Sequence, residues 1–242
     1  MKKIKSLLFA ALLCVPLAAS ADVEINETNF PDEKFRAYLL EQDFGVDGII
    51  TQTEIEQITY LGVRGLGISS LKGIEHFTAM TILHCNENQL TSLDVSSNAA
   101  LRNLLCNANL LTALDVSRNL SLVQICCSEN QIKGEAMDAL ISSLPALTTY
   151  PSLQIYNANS SNEGNICTKS QVAAAKAKGW TPYYYYNSTW APYEGMDDEA
   201  ASIALPEIEN GTAEIYNLAG QKVSSPVKGG VYVVGGKKVI VK

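Results

Sequence analysis

Asp43, Asp47 and Glu54 stand at positions 1, 5 and 12 of a stretch spaced to wrap a hard cation, with the turn glycine Gly48 at position 6. Ile49 and Thr51 are further candidate ligands, one through its backbone carbonyl. In that pattern, side-chain oxygens alternate along the loop and a carboxylate closes it, which is calcium chemistry. Gly45 breaks the series. Position 3 offers no side-chain oxygen, so the expected affinity falls to the weak end, about 10⁻⁴ to 10⁻³ M. Calcium is an allowed ligand on this reading, and no cofactor is required.

A second set of residues could stack on sugars. Trp180, Tyr184 and Trp190 flank or sit within a run of tyrosines read as an aromatic hairpin, and flat rings with polar edges suit carbohydrate faces. The same residues could instead plug the apolar end of a repeat array, since such ends need covering. Catalytic chemistry is not spelled out: His76 and His84 lack ligand spacing, and no Ser-His-Asp arrangement, phosphate loop or paired buried carboxylate is evident. Five cysteines follow the N-terminal apolar segment: Cys85, Cys106, Cys126, Cys127 and Cys167. Three of them recur at one repeat position, and a reduced thiol ladder in the core is expected, because buried free Cys packs as a small hydrophobe.

These residues must be positioned by a repeat. Cys85, Cys106 and Cys127 are in register at a step of 21 residues, as are Asn88, Asn109 and Asn130, and Leu90, Leu111 and Ile132. The unit reads L-x-C-x-x-N-x-L-x-x-L-D-V-S-x-N. So short a unit is one strand and one return. No copy can bury its own apolar side, so neighbours must stack into a solenoid. Leu61, Val63, Ile68 and Leu71 form a degenerate earlier copy. Strand alternation puts Leu83 and Cys85 inside, with Tyr60, Arg64, His84, Asn86, Leu105, Asn107, Cys126 and Ser128 outward on a concave face. Asn88, Asn109 and Asn130 should bond backbone and serve structure. Roughly four strands at about 4.8 Å give a sheet about 19 Å wide. A stable interface takes about 800 Å² per partner, so a partner must reach past the sheet onto the caps.

The unit resembles the bacterial, treponemal-type leucine-rich repeat of BspA-like surface proteins and adhesins. The resemblance implies an α/β solenoid: a short array with a helical N-terminal cap, an α+β C-terminal cap and a small all-β tail. Residues 1–21 read as a secretory signal peptide, basic at Lys2, Lys3 and Lys5, apolar from Leu7 to Ala19, and small at the cleavage site. Residues 22–58 form a helical cap around the loop that resembles an EF-hand, 59–134 the repeats, 135–195 the C-terminal cap, 196–201 an acidic linker, and 202–242 a β tail. The tail, with I-Y-N-L-x-G-Q-x-V and a Gly235-Gly236 hairpin signal, is similar to sorting domains of type IX secretion, which implies that export machinery reads it.

Losing the three leader lysines takes the formal charge from −7 to −10. That balance disfavours nucleic acid and anionic membrane surfaces, and no stretch of the mature chain is long and apolar enough to span a bilayer. The chain reads as an exported, non-catalytic recognition module, secreted or at the outer surface of a bacterium, binding a protein on the host or bacterial surface. A glycan ligand at the aromatic hairpin, or a structural role in a surface assembly, are the competing readings.

Overall fold

The computed structural model describes residues 22–149 and 151–198 and, in the tail, 215–217, 222–223, 231–234 and 237–240. The signal-peptide segment and Gly235-Gly236 lie outside the described residues.

The chain opens with β1 (Val23–Glu24), paired antiparallel with β2 (Ile49–Ile50). Between them lies α1 (Glu33–Leu40), started by Asp32, whose carboxylate accepts from the N–H groups of Lys34 and Phe35. Phe35 and Leu39 on its inner face are fully buried with Phe30 and Phe77. The second helix, α2 (Gln52–Gln57), is fixed by a reciprocal box: Thr51 Oγ1 accepts from Glu54 N–H, and Glu54 accepts from Thr51 N–H at 2.8 Å. These two short helices cover the first apolar rung.

Seven strands then form one sheet: β3 (Tyr60–Gly62), β4 (Ile82–His84), β5 (Asn103–Leu105), β6 (Gln124–Cys126), β7 (Ser152–Asn157), β8 (Thr181–Tyr186) and β9 (Thr189–Pro192). Neighbours are parallel from β3 to β8, and β9 turns back antiparallel. The four-strand, 19 Å estimate is therefore corrected. At the same spacing seven strands make about 34 Å. The sheet is wider because the C-terminal cap does not close it; β7 to β9 extend it after the 21-residue repeat has ceased.

Inward rows stack as the alternation requires. Leu61, Leu83, Leu104, Ile125 and Leu153 form one buried row; Val63, Cys85, Cys106, Cys127 and Ile155 form the next. All five described cysteines are free thiols, and burial pushes Cys85 up to about 12 and raises Cys106 and Cys127 strongly, so the ladder is an inert apolar filler. After each repeat strand, Glu87, Ala108 and Glu129 adopt positive φ (60°, 53° and 55°), and the following Asn brackets the bend. Asn109 illustrates the device: its Nδ2 donates to the carbonyls of Cys85 and Cys106, and its Oδ1 accepts from Leu90 N–H. Asn88 and Asn130 repeat these bonds, satisfying backbone groups that stacking strands would strand inside. Asn165 adds a fourth rung, donating to Cys127 and Ile155 carbonyls. A second ladder runs on the return side, where Asn119 Nδ2 donates to the carbonyls of Val95 and Asn98.

Two helices back the far end, α3 (Glu135–Ser143) and α4 (Lys169–Ala177), the latter fixed by a Thr168–Gln171 box. Met196 to Asp198, read from sequence as linker, are bound to the start of α4. Lys169 N–H donates to the Met196 carbonyl, Lys169 Nζ pairs with Asp197 at 2.6 Å, and Ser170 donates to Asp198. An acidic segment is drawn there because a helix start offers unpaired N–H groups. The tail forms its own antiparallel sheet of β10 (Ile215–Asn217), β11 (Val231–Val234) and β12 (Lys237–Ile240).

Candidate binding surface

The open face of the seven-stranded sheet is built by two outward rows. Tyr60, Ile82, Asn103, Gln124, Ser152 and Thr181 align across the strands, and so do Gly62, His84, Leu105, Cys126, Gln154, Tyr183 and Pro192. Neither row contains Asp, Glu, Lys or Arg. Both ends of the face carry aromatic pairs. At the β3 end, Tyr60 meets His84 edge-on at 5.3 Å; burial lowers the His84 pKa, which favours the neutral ring. At the β9 end, Tyr185 packs on Trp190 at 5.1 Å, directly across the β8–β9 pair. In the middle, Asn103 Nδ2 donates to Gln124 Oε1 at 2.8 Å, linking two strands by side-chain amides.

Of the residues expected on this face, the structure exposes Tyr60, Arg64, His84, Leu105 and Asn107 at least in part. Arg64 sits beyond the strand end and is paired with Glu87 at 2.6 Å. Three expectations are corrected: Asn86, Cys126 and Ser128 are buried, at 7%, 4% and 2% exposure. Asn86 lies beneath the Arg64–Glu87 pair and donates to Glu87. Cys126 is a short side chain between the longer Leu105 and Gln154, with its Sγ against Ser128 Oγ. The loop after β7 folds back over Ser128, since Asn157 and Ser160 both donate to the Glu129 carboxylate. Parity gives the direction of a side chain; cover by a neighbouring loop is a separate matter.

The aromatic hairpin is also corrected. Trp180 is buried, and its indole N–H donates to the Pro145 carbonyl at 2.8 Å. Tyr184 faces the core side with Tyr156 and Tyr193. Only Trp190 of the three is exposed. The sequence reading missed Tyr183 and Tyr185, which period-two alternation from Pro182, on the buried row, places outward.

In the candidate calcium loop, several of the expected ligands are engaged within the protein. Among the described residues no group of three or more His, Cys, Asp or Glu side chains is arranged to hold one. Asp47 Oδ1 accepts from Ile49 N–H, Thr51 and Glu54 are committed to the helix box, and Ile49 pairs with Glu24. Gly45 is required by packing, because a Cβ there would overlap the Leu39 carbonyl oxygen. The ligand missing at position 3 is thus excluded by the fold of the cap.

No protein-family model matches the chain, and no curated protein matches it. Among solved structures, the chain is similar to the functional domain of InlJ from Listeria monocytogenes, described as including a cysteine ladder. The identity is 28%, the coverage 60% of this chain and 32% of that one, and the TM-score 0.48. It is also similar to the internalin inlF of the same organism, at 22% identity, 70% and 59% coverage and a TM-score of 0.32. A third likeness is to its internalin C2, at 15% identity, 69% and 88% coverage and a TM-score of 0.33. This chain spans about a third of the first protein and less than two thirds of the second.

Proposed function

We propose that this chain is an exported recognition module that binds a protein partner across the open face of its sheet and performs no catalysis. The observation that carries the reading is the composition of that face: two rows without a charged residue, on a chain of net charge −7, with aromatic pairs at both ends. Depletion of charge with enrichment in aromatics is what distinguishes the core of a protein interface from ordinary surface. Most repeat strands are three residues long, about 10 Å, so the strip measures about 340 Å². That is under half of what a stable interface takes from each side. The partner therefore reaches the rims, where Arg64 and Glu87 flank one end and the Tyr186–Thr189 turn the other. The leader and the tail fit delivery to the cell surface, and no helix among the described residues is long and apolar enough to cross a membrane.

The test uses the mature chain on beads against host and bacterial surface extracts, with Tyr60→Ser and Tyr185→Ser beside Asp115→Ala on the return side. Loss of the same captured protein in both face variants, with retention in Asp115→Ala, supports the reading. Equal capture by all three contradicts it. A glycan reading is supported by the exposed ring of Trp190 beside Tyr185; sugar binding lost in Trp190→Ala, with no protein captured, would favour it.

A further inference from the structure

A groove separate from the open face lies on the edge of the array, between the turns that leave the strands and the loop 157–166. It encloses about 880 Å³, within the range of about 300 to 1,000 Å³ typical of small-ligand sites. We propose that this groove binds a neutral oligosaccharide, independently of the protein-binding face.

Two carboxylates line the groove, and both are used by the protein itself. Glu163 accepts from the N–H groups of Glu129, Asn157 and Asn165, while Glu129 accepts from Asn157 Nδ2 and Ser160 Oγ. They hold the loop in place; their charge disfavours an anionic ligand, and with their oxygens engaged by these donors neither is open to grip a cation. The third charged side chain on the lining is Lys133, which is exposed.

What is left for a ligand is a mixture of apolar surface and unused amide. Leu110, which is 49% exposed, lines the groove with Ile166, Met196 and the ring of Tyr156. Set among them, the side-chain amides of Gln131 and Asn162 make no hydrogen bond within the protein, so each offers one acceptor and two donors. A sugar matches this pattern: its C–H face covers small apolar patches while its hydroxyl rim reaches planar amides.

A peptide matches it less well. Strand addition needs an open edge of backbone groups, but the N–H groups of Gln131, Gly164 and Ile166 are already bonded to the carbonyls of Leu111, Asn130 and Ile132. A helical peptide needs a continuous apolar trough, which Gln131 and Asn162 interrupt.

Gly164 supplies a gentle probe. A Cβ there would meet the flexible end of the Gln131 side chain first, so Gly164→Ala displaces that amide. The experiment titrates the mature chain with a panel of soluble neutral oligomers of glucose, mannose, xylose and N-acetylglucosamine, up to millimolar concentration, by calorimetry. At least one oligomer is expected to bind. Gln131→Ala and Asn162→Ala should each weaken it about tenfold or more with an unchanged melting temperature, and Gly164→Ala should weaken it as well. Trp190→Ala and Tyr185→Ser should leave it unchanged, which separates this site from the protein-binding face. No binding across the panel overturns the proposal. So does binding that survives the groove variants or is lost with Trp190, and so does a groove that takes peptides from a random library in place of sugars.

Discussion

Asp32 does more than its place before a helix suggests. Its carboxylate accepts from Lys34 and Phe35 within the cap and from Ser69 N–H, Ser69 Oγ and Ser70 N–H in the first repeat, tying cap to array. Burial pushes its pKa up, but the hydrogen bonds from Ser69, Phe35 and Ser70 outweigh that and hold the carboxyl below its usual 3.8. A carboxyl whose pKa is lower in the folded state stabilises fully above the unfolded value and loses that contribution as pH falls through the folded one. Asp32→Ala should therefore cost about 1 to 2 kcal/mol at neutral pH. The gap to wild type should shrink below about pH 3.8 in paired acid melts. Glu163 has the opposite sign. Burial raises its pKa despite the N–H donors around it, so its ionisation weakens the fold as pH rises past the ordinary carboxylate range. The stability of wild type minus that of Glu163→Gln should fall with rising pH there; a flat difference would contradict the burial. At the core, Leu104→Ala should cost about 2 to 5 kcal/mol because it empties a fully buried rung. Leu105→Ser on the open face should stay within about 0.5 kcal/mol. Denaturant melts of the two variants that coincided would disprove the in-out register.

At the scale of elements, the sequence was most informative where it repeats. The 21-residue step places Leu83, Leu104 and Ile125 in one row, and Asn88, Asn109 and Asn130 in one ladder, because stacking demands the same side chain at the same point of each turn. It was least informative where the period lapses. Asn165 does the work of a fourth ladder residue 35 positions after Asn130, and β7 to β9 prolong the sheet through segments of different length, so no spacing announces them. The cap loop shows the limit of motif reading. Asp43, Asp47 and Glu54 match a calcium pattern in one dimension, yet Glu54 is taken by Thr51, and Gly45 must lie against Leu39. Melting curves should coincide in chelator and in millimolar calcium. Gly45→Asp, which restores the position 3 ligand, should lower the melting temperature and gain no calcium response; a calcium-dependent rise in either protein would reinstate the site.

At the scale of the whole molecule, the first residues after the C-terminal cap belong to it. A chain ending at Asp198 keeps the Lys169–Asp197 pair and the Met196 contacts with α4, and one ending at Gly195 loses them. The first should melt as the full mature chain does, and the second earlier; identical melts would mean that those contacts carry no stability. The face itself was half legible. Tyr60, His84 and Leu105 follow from alternation, while Cys126 is buried by its longer neighbours Leu105 and Gln154 and Ser128 by a loop whose fold rests on Glu129 and Glu163, and no local pattern encodes either cover. The claim that this open, uncharged face is the binding surface is tested most directly by photo-crosslinking. Benzoylphenylalanine would replace Leu105 at the centre of the face in one protein and Arg118 on the return side in another, and both would be irradiated in surface extracts. A discrete protein adduct from position 105 and none from position 118 is the predicted result; adducts from position 118 alone would contradict it.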